Sequence, residues 1–108
     1  MEPAPEFTVT TRRTADAVVV APSGEIDLAT VDALAQALAA AREEAASIVL
    51  DLREVTFMDS AGLRLVLEAS RAGAGFAVVR GPREVQRLFD LVGLDEGRLT
   101  MLDQPPDG

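Results

Sequence analysis

Two rhythms of apolar and polar residues take turns along this chain, one of period two and one of period three to four. Phe7-Thr8-Val9-Thr10-Thr11-Arg12 alternates, and Ala17-Val18-Val19-Val20-Ala21 is a β-branched run, so the two read as an opening hairpin joined through Thr14-Ala15-Asp16. Pro22-Ser23-Gly24 is expected to end the second strand. Thr30 is then placed to cap a helix whose apolar face is Val31, Leu34, Ala35 and Leu38, with Asp32 in its first turn. Ile48-Val49-Leu50 has the continuous apolar character of a central strand, and residues 51–58 carry the chain onward to Ser60. Ser60 is expected to cap a second helix with face Leu63, Val66, Leu67 and Ser70, stopped by Gly73 and Gly75. Phe76-Ala77-Val78-Val79 follows as a strand. Gly81-Pro82 opens a third helix with proline in its first position, its stripe Val85, Leu88, Phe89 and Val92 ended by Gly93. Leu99-Thr100-Met101-Leu102 adds an edge strand. The order β-β-α-β-α-β-α-β predicts an α/β fold, a mixed and largely parallel β-sheet packed against helices. In such a fold the loops Gly24–Thr30 and Met58–Gly62 both leave the carboxyl ends of strands, where ligands and partners meet the sheet.

Length makes residues 1–108 one domain, with residues 1–5 and 104–108 expected to fray. No apolar run approaches bilayer length and no signal-type segment is visible, which points to a cytoplasmic protein away from the membrane. The missing residue types narrow the chemistry further. There is no Cys, His, Lys, Tyr or Trp, and all ten basic side chains are Arg. Thiol chemistry, a Ser-His-Asp triad, a Schiff base and a P-loop lysine are therefore excluded, and no catalytic residue, cofactor or metal site is expected. The net charge of −8, scattered along the chain, argues against direct nucleic-acid binding, which needs a basic face.

The most informative stretch is Val49–Leu67, VLDLREVTFMDSAGLRLVL, because Asp59-Ser60-Ala61-Gly62-Leu63 falls where strand character gives way to helix character. A hydroxyl there faces unpaired helix N–H groups and the positive end of the helix dipole, which favour a phosphate. The same hydroxyl suits a plain helix cap. Asp59 has three readings: a metal ligand with Asp51, a group orienting the Ser60 hydroxyl, or a loop carboxylate accepting backbone N–H bonds. Gly62 weakens a first helical turn, which suggests that something approaches closely there. Met58 is either core filler or an exposed apolar anchor.

Together with Gly24-Glu25-Ile26-Asp27-Leu28-Ala29-Thr30, the stretch Val55–Leu63 resembles the STAS family, the sulphate transporter and anti-sigma-factor antagonist domains, and within it the small soluble bacterial antagonists. The resemblance implies a cytoplasmic regulator of transcription acting by partner switching. Its unphosphorylated form binds an anti-sigma factor, an ATPase-type serine kinase, and so releases a sigma factor. Phosphorylation at Ser60 breaks the complex and a phosphatase restores it. The expected partner contacts are Glu25, Asp27, Thr30, Met58, Asp59, Gly62 and Arg64, on a monomer. Many members carry a second hydroxyl residue where this chain has Ala61, leaving Ser60 the only acceptor in the loop, with Thr56 a poor second. The alternative is a STAS scaffold module of a larger signalling assembly without a phosphoswitch. A receiver phosphorylated on Asp59 is disfavoured, because receivers normally need a lysine beside the acceptor.

Overall fold

The computed structural model describes residues 6–72, 75–94 and 99–107. Its elements run β1 (Thr8–Arg13), β2 (Val18–Ile26), α1 (Val31–Glu44), β3 (Ile48–Asp51), β4 (Glu54–Met58), α2 (Ser60–Arg71), β5 (Phe76–Val79), α3 (Arg83–Leu91) and β6 (Thr100–Leu102). The α/β class and the largely parallel sheet hold, and β4 is an addition to the expected order. Gly73 and residues 1–5 and 108 lie outside the described residues.

The sheet runs β1-β2-β3-β5-β6, with β4 also paired to β2. β1 is antiparallel to β2, and the other pairings are parallel. β2 has to be long because it serves two neighbours in succession: Val18–Val20 align with Ile48–Leu50, and Ser23–Ile26 with Glu54–Met58. Pro22-Ser23-Gly24 therefore does not end the strand. Pro22 lies opposite the bend between β3 and β4, where its missing N–H has no ladder partner to lose. Gly24, expected with Pro22 and Ser23 to end the strand, instead takes φ +108° at the register shift within β2.

Among the described residues, three helices cover one face of the sheet. Val18, Val20, Ile26, Ile48, Leu50, Phe76 and Val78 meet Leu34, Leu38, Leu63, Val66, Val85 and Phe89 in the main core. Alternate strand residues point the other way, so Val19, Val49 and Val79 form a small second cluster with Ala17 and Leu102. The tail lies on this second face. It leaves β6 at one edge of the sheet, and Arg12 Nη2 on β1, at the opposite edge, donates to the Pro106 carbonyl (3.1 Å). Arg12 is in register with Val19, so its side chain rises from the side of the sheet that carries the second cluster. Residues 104–107 thus run across the sheet as a strap.

The helix ends differ from expectation by one residue in telling ways. Pro82 is the N-cap of α3 rather than its first residue, and the Gln86 side chain reaches back to accept the Gly81 N–H (2.8 Å). At the other end Gly93 (φ +74°) allows a paired closure: its N–H donates to Asp90 O (3.2 Å), and the Leu94 N–H donates to Phe89 O (2.9 Å). That turn ends the helix before Val92, which is exposed rather than part of the buried stripe.

Candidate functional site

The two loops singled out in the sequence lie side by side because β2 and β4 are parallel neighbours that end together. Ile26 is in register with Met58, and the Asp59 N–H donates to the Ile26 carbonyl (3.2 Å), extending the ladder one residue into the loop. This bond holds Asp59 extended, at φ −104° and ψ −168°, the geometry of a residue just outside a helix. Its Oδ1 accepts from the N–H groups of Ala61 (2.9 Å) and Gly62 (3.3 Å). Asp59, not Ser60, is therefore the cap of α2. Ser60 is the first helical residue, exposed, and its hydroxyl makes no hydrogen bond to another described residue.

The upstream loop is tied by Thr30. Its hydroxyl donates to the Glu25 carbonyl (2.7 Å) and accepts from the Asp27 N–H (2.9 Å), while Asp27 Oδ1 accepts from the Ala29 N–H (2.9 Å). Thr30 precedes α1 as expected, but its side chain does not cap the helix. The loop groups lie within its reach, and the first α1 amide bond, Val31 N–H to Asp27 O (2.8 Å), is already made by backbone. The side chain closes the loop that presents Glu25, Asp27 and Leu28 instead.

Between α1 and α2 opens a cleft of about 400 Å³. Ser60, Ala61, Arg64 and Leu65 line one wall, and Leu28, Val31, Asp32 and Ala35 the other. Leu28 is 81% exposed at its rim. Among the described residues the charged side chains lining the cleft are Asp32, Asp59, Arg64 and Glu68, so Arg64 is the single cation of that set. The cleft thus offers an apolar wall, an acidic rim and one unbonded hydroxyl, a surface suited to a basic protein partner.

Of the expected contact residues, Glu25, Asp27, Thr30, Asp59 and Arg64 belong to this end of the molecule. Met58 and Gly62 lie beneath it. Met58 is 6% exposed in the core, which decides between its two sequence readings in favour of core filler and leaves it almost no free face. A Cβ on Gly62 would fall 2.6 Å from Met58 Cγ and 2.8 Å from Ile26 Cγ2. The close approach at Gly62 is therefore made by core side chains, which lets α2 settle onto the ends of β2 and β4. Leu28, unremarked in the sequence, joins the site; its signal was an apolar residue inside the Glu25–Thr30 loop.

Asp51 and Asp59 are committed to different partners. Asp51, 6% exposed, accepts from Arg53 N–H (3.1 Å), Nε (3.0 Å) and Nη2 (2.9 Å). These bonds first, and the carboxylate charge second, hold the Arg53 guanidinium above its ordinary pKa. The pair fixes the bend between β3 and β4. Among the described residues no group of three or more acidic side chains gathers as a metal site, and no helix is long and apolar enough to cross a membrane.

The chain has no significant match among curated proteins. A family model described as Mlab, STAS domain, matches residues 9–103. Among solved structures, an anti-sigma factor antagonist from Mycobacterium paratuberculosis is 30% identical, with a TM-score of 0.83 over 92% of this chain and 87% of that one. The anti-sigma factor antagonist SpoIIAA in its unphosphorylated form is 26% identical, with a TM-score of 0.72 over 93% and 89%. The Bacillus cell fate determinant SpoIIAA in its phosphorylated form is 25% identical, with a TM-score of 0.68 over 93% and 92%.

Proposed function

Because the chain belongs to the STAS-domain family, we propose that it is an anti-sigma factor antagonist whose binding surface is switched by phosphorylation of Ser60. The observation that carries this reading is the free hydroxyl of Ser60. A serine retained as a helix cap would direct its oxygen at the N–H groups two and three residues on. Here Asp59 already takes those amides, and the Ser60 oxygen stands exposed at the mouth of the cleft. The likeness to SpoIIAA, known in unphosphorylated and phosphorylated forms, supports the switch.

The unmodified domain binds a cytoplasmic anti-sigma factor through Leu28, the cleft carboxylate Asp32 and the neighbouring loop carboxylates Glu25 and Asp27, and so releases a sigma factor. The anti-sigma factor is also the kinase. Ser60 Oγ attacks the γ-phosphorus of its ATP, the Oγ–P bond forms, the bond to the ADP oxygen breaks, and the hydroxyl proton passes to a base of the kinase. The base has to come from the partner, since this chain has no His, Lys or Cys and the Asp59 carboxylate is engaged as a cap. A phosphatase later hydrolyses the ester.

Phosphorylation adds about 1.5–2 negative charges to a surface packed against protein. A penalty of about 3 kcal/mol weakens the complex roughly a hundredfold. The expected outcome is that Ser60→Ala keeps its affinity for the anti-sigma factor and cannot be switched off, while Ser60→Asp and phospho-Ser60 bind more weakly. Calorimetry reads the affinities, and mass spectrometry should find one phosphate, on Ser60. Equal affinity for all forms would put Ser60 outside the interface and leave a STAS scaffold without a phosphoswitch.

A further inference from the structure

We propose that Arg64 is the internal counter-ion of phospho-Ser60, so that phosphorylation withdraws the cleft's single cation from the partner surface as well as adding negative charge. The inference rests on the reading of Ser60 as the phosphorylated residue and concerns what then holds the phosphate.

The helix N-terminus cannot hold it unaided. The amides of Ala61 and Gly62 that would cradle an anion already bond Asp59 Oδ1, so a phosphate on the next residue meets an occupied site and a like charge. Relief has to come from a nearby cation. Ser60 and Arg64 stand four positions apart on α2, both are exposed, and both line the cleft. Residues at i and i+4 are surface neighbours on a helix, and an anion placed N-terminal to a cation is the favourable order. Arg64 makes no ion pair or hydrogen bond to a described residue, although Asp32, Asp59 and Glu68 line the same cleft. Its guanidinium is uncommitted before phosphorylation, and its planar fork matches two phosphate oxygens. Arg71, the other cation of α2, lies about three turns from Ser60, too far to serve.

The functional consequence is a change of allegiance. Before phosphorylation Arg64 is available to an acidic group on the partner; afterwards it folds back on the phosphate, and the cleft presents Asp32, Asp59, Glu68 and an ester whose charge the one guanidinium offsets only in part. The complex then loses one attraction besides gaining a repulsion.

The test places phosphoserine at position 60 by genetic encoding and follows its ³¹P resonance against pH in the otherwise unaltered chain, in Arg64→Gln and in Arg71→Gln. A phosphoserine has its second pKa near about 6, and a facing cation favours the dianion. The expected result is that Arg64→Gln raises the measured midpoint by roughly half a unit or more while Arg71→Gln leaves it in place. Equal shifts for the two variants would reduce the effect to net charge, and no shift in Arg64→Gln would mean the phosphate is held without it; either overturns the proposal. Because the phosphate is installed without the kinase, failure of any kinase to modify Ser60 would count against the phosphoswitch alone.

Discussion

Asp59 and Ser60 illustrate how one position of offset exchanges roles between two residues that are equally good caps by type. The Asp59 carboxylate holds two amides of α2, and the Ser60 oxygen holds none. Asp59→Ala should therefore cost about 1 kcal/mol, the ordinary value of a lost cap, and lower the melting temperature by roughly 4–8 °C for a domain of this size. Ser60→Ala should leave the melting temperature within a degree or two of the starting protein. Thermal unfolding followed by circular dichroism gives both numbers, and the reverse ranking would return the cap to Ser60.

Between elements, the site depends on two loops held in place by different means, one by a side-chain tie and one by close packing. Thr30 is the tie in the first: one hydroxyl joins the Glu25 carbonyl to the Asp27 amide, at 2.7 and 2.9 Å. Thr30→Val keeps the shape and removes both bonds, with an expected loss of about 1–2 kcal/mol. Hydrogen exchange should then quicken at Asp27 while the amides of β2 upstream of Pro22 keep their protection, because the loop opens without the sheet. Unchanged exchange at Asp27 would assign the loop's order to its backbone bonds. In the second loop, Gly62 lets α2 approach Met58 and Ile26, which is why a helix-weakening residue occupies a first helical turn.

At the scale of the whole molecule, the sheet has one face under three helices and one face with only a thin cover. Val19, Val49 and Val79 are buried there in a cluster to which Ala17 and Leu102 add, and the strap of residues 104–107 passes across that side. Removing residues 104–108 should uncover part of that cluster and destabilise the fold, by about 1 kcal/mol for roughly every 40 Å² of apolar surface exposed. Denaturant unfolding measures it. The acidic cleft lies between α1 and α2, on the helical side of the sheet, so affinity for the proposed anti-sigma-factor partner should be retained by the shortened chain at temperatures where it remains folded. A truncated chain of unchanged stability would show that the strap covers nothing of consequence.

The local rhythms of the chain were enough to determine its three helices, five of its strands, the α/β class and the junction at Ser60, because hydrophobic period and turn residues act over a few positions. Residues 51–58 were legible only as a connection, since their charged start breaks the strand pattern. β4 exists because the far half of β2 offers it a ladder, and β2 passes through Pro22 because its neighbour bends at that point. The same holds at the site. Asp, Ser and Thr all make good caps by chemistry, and sequence cannot say which one the chain will bring to the helix end. The Asp59-to-Ile26 bond settles it at α2, and the proximity of Glu25 and Asp27 diverts Thr30 at α1. Met58, Gly62 and Leu28 likewise differ by which side of a strand or loop faces the core, a choice made only when the sheet and helices close on each other.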